Sequence, residues 1–119
     1  MVCSVSGQSV FSRYVPLPLV DEKKIAQLVL YEAQQHVPFP MEEVVWDYQL
    51  IGAGEGTINV MLAAIKGEMV QELTDCVGFA GLSPDLVDVA PMTLYNCARY
   101  NYPDLDGCTL IVLSLIHIS

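Results

Sequence analysis

Two strand-like segments joined by a glycine-rich connection are the feature that most restricts the fold of this chain. Val44 to Ile51 and Thr57 to Ile65 are rich in β-branched, aromatic and other apolar residues, which favour extended structure. Gly52-Ala53-Gly54-Glu55-Gly56 separates them, and a connection of five residues suits a β-hairpin. The sequence therefore predicts an antiparallel hairpin near the middle of the chain.

A predicted helix lies on each side of this hairpin. The first follows Asp21, a residue type whose carboxylate caps helix N-termini, and it ends before Pro38. The second ends at Gly81, where a left-handed residue is expected. Their apolar stripes at helical spacing are Ala26, Val29, Leu30, Ala33 and Val37 in the first helix, and Met69, Val70, Leu73, Cys76, Val77 and Ala80 in the second.

Outer segments complete the predicted order. Ser6 to Leu19 alternates loosely and contains Pro16 and Pro18, which favours a strand at a sheet edge. The remaining elements are a strand over Leu86 to Val89, a helix over Met92 to Tyr100 and a strand over Thr109 to Leu115. The order through residue 90 is strand, helix, strand, strand, helix, strand, which is that of a ferredoxin-like domain.

Composition excludes several classes of partner. Fourteen acidic against five basic residues give a formal charge of −9, whereas a nucleic-acid or anionic-lipid surface needs clustered Lys and Arg. The longest apolar stretch, Thr109 to Ile118, is about half the roughly 20 residues of a membrane-spanning helix. No signal peptide is readable at the N-terminus. The apolar content of 53% predicts surfaces that something else covers.

No arrangement of residues predicts catalysis, a cofactor or a metal. The glycines before Thr57 are followed by a strand rather than a helix, so turn geometry explains them better than a phosphate loop. The acidic residues Glu42, Glu43, Asp47, Asp104 and Asp106 lack a third ligand or a histidine at useful spacing and are expected to be solvated. His36 suits the carbonyl end of the first helix. The cysteines Cys3, Cys76, Cys97 and Cys108 have no CxxC spacing and are predicted to be reduced and largely buried.

The cluster Pro38-Phe39-Pro40 is the unusual local feature. Its prolines stiffen the chain and fix the direction of the Phe39 ring. The cluster forms either a core plug at a helix-to-strand corner or one wall of a peptide groove. Trp46 and Tyr48 share a face of the following strand and would extend such a wall. These five residues are the candidate partner-binding set.

The stretch from Tyr31 to Gln49, with Glu-Ala-Gln-Gln, Pro-Phe-Pro, an acidic pair and Asp-Tyr-Gln, resembles the type IV pilus assembly protein PilM family. Val60 to Lys66 resembles the family's apolar strand before a helix. Ala80 to Pro84, with Val87-Asp88-Val89, resembles its helix exit and return strand. The similarity runs over about residues 6 to 112, and three separated blocks agree in order and spacing.

The resemblance implies an α/β (α+β) fragment of an actin-like fold akin to the cell-division protein FtsA. Residues 1–19 would supply the first strand segment of the large subdomain 1A. Residues 20–83 would form the inserted two-helix subdomain 1C as a helix-hairpin-helix unit, and residues 84–112 would return a strand, a helix and a strand to 1A. The first and fourth strands would then lie in a different sheet from the hairpin.

The resemblance also implies a function. The family's protein is a cytoplasmic scaffold at the inner face of the inner membrane, where it serves pilus assembly and twitching motility. It binds ATP with Mg²⁺ and grips the cytoplasmic tail of the inner-membrane protein PilN in a groove between the two subdomains; other pilus machine proteins are further expected partners. The alternative is a free-standing ferredoxin-like regulatory domain that binds a small metabolite, and the discriminating observation is whether the first and fourth strands pair inside the hairpin's sheet.

The chain departs from the family pattern in two places. It contains neither Asp-Ile-Gly nor the second phosphate loop of an actin-like ATPase, so we expect an internal fragment that is not an enzyme and holds no nucleotide. Residues 113–119 resemble translated sequencing-adapter sequence, and we expect this tail to be non-native. No role is predicted for His117.

Overall fold

The computed structural model describes residues 1–114. Three α-helices and five strands alternate along this part of the chain with two short 3-10 turns. The elements in order are β1 (Val2–Val5), a 3-10 turn (Gly7–Ser9), β2 (Val10–Pro18), α1 (Glu22–His36), a 3-10 turn (Met41–Glu43), β3 (Val44–Gly54), β4 (Thr57–Lys66), α2 (Gly67–Phe79), β5 (Leu86–Val89) and α3 (Ala90–Asn101).

The strands form two separate sheets. One has three antiparallel strands in the order β2-β4-β3, and the other pairs β1 with β5 in parallel. The prediction that the strand at Leu86–Val89 lies outside the hairpin's sheet is confirmed. The same prediction for the strand within Ser6–Leu19 is wrong, because Val10–Pro18 pairs along the whole length of β4. The strand that pairs with β5 is instead β1, which was not predicted from the sequence.

The ferredoxin-like alternative requires the first and fourth strands to join the hairpin in one antiparallel layer, and the two sheets contradict it. Residues 109–114 form no strand, contrary to the prediction for Thr109–Leu115. That segment pairs with no strand in the described part of the chain, and Leu115 and His117 lie outside it. The assignment of residues 1–19, 20–83 and 84–112 to subdomains 1A and 1C, and of 113–119 to a non-native tail, stays a prediction.

The core lies between α1 and one face of the three-stranded sheet. Val60 and Leu62 of β4 are fully buried, and Val15 and Leu17 of β2 lie beside them. The buried residues of α1 are Ile25, Val29 and Ala33, followed by Val37 after its end. The predicted stripe is therefore correct at Val29, Ala33 and Val37, whereas Ala26 and Leu30 are exposed and Ile25 takes their place. Burial of these side chains is the main force that holds the helix on the sheet.

The hairpin is tighter than the sequence predicts. β3 continues through Gly52–Gly54, which pair with Thr57–Asn59 of β4, so that only Glu55 and Gly56 form the turn. Gly56 has φ +80°, a left-handed value that favours glycine. Leu19, immediately after β2, donates its N–H to the carbonyl of Gly56 at 3.3 Å, and this hydrogen bond connects the hairpin turn to the end of β2.

Helix ends follow the predictions in part. Gly81 has φ +75°, which confirms the left-handed stop after α2. Asp21 is the N-cap residue of α1, as predicted, but its carboxylate makes no capping hydrogen bond; its carbonyl accepts from Lys24 N at 2.8 Å. In α2 only Val77 of the predicted stripe is buried.

Candidate functional site

A groove of about 610 Å³ lies between the three-stranded sheet and the β5–α3 unit. This volume falls in the range of ligand-binding clefts. The sheet side consists of Tyr14, Met61, Ala63 and the run Asp47–Ile51, and the opposite side of Val87, Asp88, Val89, Met92, Tyr95 and Asn96. We refer to this cleft as the intersheet groove.

Strand alternation places the sheet-side residues. Val60, Leu62 and Ala64 of β4 face α1, so the intervening Met61 and Ala63 face the other way, into the groove. The pairing register sets Tyr14 of β2 and Gln49 of β3 on either side of Met61, in one row across the sheet. The groove floor is thus the face of the sheet that does not form the core.

β3 contributes five consecutive residues, Asp47 to Ile51. Since side chains alternate along a strand, an unbroken run means that the strand presents its edge, including backbone, to the groove. β3 is an outer strand of its sheet, and this edge has no strand partner among residues 1–114. An irregularity between Leu50 and Gly52 adds one residue and brings Leu50 and Ile51 to the groove together.

The opposite wall is built by β5 and the first turns of α3. Met92, Tyr95 and Asn96 are three and four residues apart, so one face of the helix presents all of them. Pro91, in the first turn of α3, suits a helix start because it has no N–H to leave unpaired. The Tyr95 side chain is half exposed at the mouth of the groove.

Each wall carries a carboxylate that accepts a hydrogen bond from the next backbone N–H of its own strand. Asp47 Oδ1 accepts from Tyr48 N at 2.8 Å on β3, and Asp88 Oδ1 accepts from Val89 N at 2.7 Å on β5. The lining residues include no Lys, Arg or His. The intersheet groove is therefore apolar along its floor and negatively charged on both walls, a surface that suits an extended segment with apolar and basic side chains.

The predicted partner-binding residues fall in two places. Tyr48 lines the groove, although its register places its ring on the α1 face with Trp46; the two rings stack with centroids 6.4 Å apart. Both pack against the core. Pro38, Phe39 and Pro40 lie outside the groove lining, where Lys66 Nζ sits 4.8 Å from the centre of the Phe39 ring. Their role in partner binding stays a prediction.

Other candidate residues do not converge. Among residues 1–114 no three potential metal ligands cluster. All four cysteines are free thiols, but only Cys3 is buried; Cys76, Cys97 and Cys108 are exposed, so their predicted burial is wrong. His36 Nε2 lies 3.1 Å from Glu32 Oε2 one turn earlier, consistent with a role inside α1.

Most groove residues were missed from sequence, yet one signal points to them. Val60-Met61-Leu62-Ala63-Ala64-Ile65 is apolar at every position, whereas a strand with one solvated face alternates. Such a run predicts a strand covered on both faces, and Met61 and Ala63 mark the second one. Tyr14 and the α3 residues carry no comparable signal, because their place depends on how the two sheets meet.

The family model for the type IV pilus assembly protein PilM matches residues 1–116. The chain belongs to the PilM family. The match confirms the resemblance drawn from the Tyr31–Gln49 stretch and extends it into the segment 113–119.

A solved structure, the PilM-PilN type IV pilus biogenesis complex, agrees with this family and with the fold. It is 30% identical in sequence with a TM-score of 0.71, and the similarity covers 87% of this chain and 32% of that one. This PilM-family chain thus spans about a third of the length of that relative. The mixed α/β arrangement predicted as a piece of the PilM actin-like fold is confirmed.

No helix among residues 1–114 combines the length and the apolar content that a membrane crossing needs.

Proposed function

We propose that this chain is the peptide-gripping part of a PilM-type scaffold and that the intersheet groove holds the cytoplasmic tail of a PilN-type inner-membrane protein. The observation that carries the proposal is the groove itself, an apolar cleft with a carboxylate on each wall, in a chain of the PilM family. The named assembly partner of the solved relative is PilN, which supports the choice of partner.

The physical basis is complementarity of shape and charge. Side chains of an extended segment would contact Met61, Ala63 and Met92, and its basic groups would pair with Asp47 or Asp88. A formal charge of −9 for the chain would speed the encounter with a basic peptide at low ionic strength. Tyr14 and Tyr95, exposed at opposite sides of the groove, would close over the peptide as aromatic contacts.

We propose a scaffolding role for this part of the protein and assign it no catalytic residue. ATP and Mg²⁺ would bind elsewhere in a full-length family member. The proposal places the chain at the cytoplasmic face of the inner membrane, where a PilN-type tail is accessible, and in the machine that supports twitching motility.

The test is a titration of a fluorescent synthetic peptide, a copy of the PilN-type partner's cytoplasmic tail from the same source, with the chain. Saturable binding that weakens at least about tenfold in Tyr14→Ala and in Tyr95→Ala is expected, since aromatic contact residues commonly contribute more than 1 kcal/mol. Tyr100→Ala and Tyr31→Ala are matched controls, because both tyrosines are exposed and neither lines the groove. Absence of binding, or equal losses in all four variants, contradicts the proposal.

The predicted set Pro38, Phe39, Pro40, Trp46 and Tyr48 is tested in the same titration. Phe39→Ala alters an exposed ring outside the groove, so a loss of affinity there would extend the partner surface to the Pro-Phe-Pro corner. Unchanged affinity would restrict the peptide to the intersheet groove.

A further inference from the structure

The two outer edges of the three-stranded sheet differ in their ability to pair with another strand. Leu19 N donates to the hairpin turn, so alternation places the backbone nitrogens of Pro18 and Pro16 on the outer edge of β2. Proline has no N–H, and prolines on an outer edge prevent another strand from pairing there. The outer edge of β2 is therefore closed to strand addition.

The outer edge of β3 contains no proline from Val44 to Gly54 and stays competent for pairing. Alternation from the Leu19–Gly56 hydrogen bond through β4 directs the N–H of Tyr48 to this edge, where it donates to Asp47 Oδ1. Alternation gives the N–H groups of Trp46 and Leu50 the same direction. This is the edge that enters the intersheet groove over Asp47–Ile51.

We propose that the peptide binds as an added strand on the free edge of β3, and that the Asp47 carboxylate gives up its hydrogen bond with the Tyr48 N–H when the peptide binds. In the unbound chain the Asp47 carboxylate accepts the hydrogen bond of the Tyr48 N–H. On binding, a backbone carbonyl of the peptide takes that N–H, and the released carboxylate pairs with a basic side chain of the same peptide. The inference rests on the proposed function and specifies its binding mode.

The charge of the groove lining indicates which kind of peptide would bind there. Both carboxylates that line it face no basic residue of the lining, which selects a segment carrying Lys or Arg. Side chains of a paired strand alternate, so one set would lie on the groove face beside Asp47 and Gln49 and the other on the opposite face beside Trp46 and Tyr48. β5 is the less suitable edge, because it is four residues long and supplies only Val87–Val89 to the groove.

Backbone substitution in the ligand separates this mode from binding through side chains alone. The probes are the synthetic PilN-type tail peptide and a series with one backbone amide methylated at a time, each titrated against the full chain. N-methylation is expected to weaken binding about tenfold or more at alternate positions and less than about threefold between them, because only every second N–H of an added strand faces its neighbour. A series without this period of two overturns the inference, even where the unmodified peptide binds and the proposed function stands.

Variants of the protein provide the second arm. Leu50→Pro removes an N–H from the outer edge of β3 and should reduce affinity about tenfold, whereas Ser12→Pro makes the equivalent change on the outer edge of β2 and should leave affinity unchanged. Circular dichroism verifies that each variant is folded. If the Leu50→Pro variant does not fold, the methylated peptides alone test the binding mode. Asp47→Asn keeps an acceptor oxygen but removes the charge, and it should weaken the salt dependence of binding. Unaltered salt dependence in Asp47→Asn contradicts the proposed pairing with a basic side chain.

Discussion

Gly7 and Pro91 approach so closely that a Cβ on Gly7 would lie 2.7 Å from Cγ of the proline ring. Gly7 lies in the turn between β1 and β2, where the chain passes from one sheet to the other, and Pro91 lies in the first turn of α3. This contact therefore connects the three-stranded sheet with the unit that forms the opposite wall of the intersheet groove.

Gly7→Ala is expected to lower the free energy of unfolding by about 1–3 kcal/mol, because the rigid proline ring cannot move aside as a flexible side chain would. Urea denaturation followed by circular dichroism measures the change. Gly78→Ala is the matched control: nothing lies within 4 Å of its Cβ position and the residue is helical, so a small stabilisation is expected. Equal effects of the two substitutions would mean that the Gly7 contact does not matter.

Leu62→Ala should be the more damaging of two leucine truncations. Leu62 is fully buried under α1, and the loss of its side chain leaves a cavity that costs about 2–5 kcal/mol. Leu105→Ala, at a leucine with 51% exposure, should change the free energy of unfolding by less than about 0.5 kcal/mol. The comparison of midpoints in urea checks both, and similar midpoints would place the core elsewhere.

Gly56→Ala tests the hairpin turn. A side chain at φ +80° is strained, so a loss of about 1 kcal/mol or more in unfolding free energy is expected. Gly52→Ala serves as the control, since its φ is not positive and its Cβ position is open. The five-residue turn predicted from the sequence, with its glycines in turn geometry, would instead make both substitutions costly, so equal losses would contradict the two-residue turn.

Much of the fold is predictable from local patterns, and the errors have a common cause. The helices at Glu22–His36 and Gly67–Phe79 and the Val44/Thr57 hairpin follow from periodicity and glycine placement. β1 was missed because four residues, Val2–Val5, are too short to show a period, and its partner β5 is more than 80 residues away. The assignment of the strand within Ser6–Leu19 to another sheet came from the resemblance, and it is wrong because Val10–Pro18 pairs with β4, a contact between distant segments that leaves little trace in local sequence.

The candidate site is likewise predictable from the sequence only in part. Tyr48 and Trp46 stand out as aromatic residues two apart, and their stacking is predictable from strand alternation. The groove that Tyr48 lines is not, since it forms only where β3, β4, β5 and α3 come together. The prolines beside Phe39 predict a fixed ring direction but not its neighbour, Lys66, which the ring meets where the chain turns from α1 into β3.

The Phe39–Lys66 contact yields a prediction of its own. With the ammonium 4.8 Å from the ring centre, Lys66→Met should cost about 0.5–1 kcal/mol of stability. A double-mutant cycle with Phe39→Leu isolates the pairwise contribution. Additive effects would mean that the two side chains do not interact energetically.

Nucleotide binding is expected to be absent from this chain. No glycine-rich loop leads into a helix N-terminus among residues 1–114 in the way that phosphate cradles require: Gly56 lies in the turn before β4, and Gly81 follows a helix. Calorimetric titration with Mg-ATP should therefore give no saturable heat. A saturable isotherm would contradict the inference that the phosphate-binding elements of the family lie outside this segment.

The most direct test of the account is a map of backbone amides by ¹H–¹⁵N NMR during titration with the PilN-type tail peptide. We predict that the amides of Trp46, Tyr48 and Leu50 shift most on β3, that Val89 and Tyr95 shift across the groove, and that the Tyr48 amide gains protection from hydrogen exchange as a peptide carbonyl replaces Asp47. Shifts confined to α1 or to the Pro38–Pro40 corner, with the edge of β3 unchanged at saturation, would contradict the claim that the intersheet groove holds the peptide.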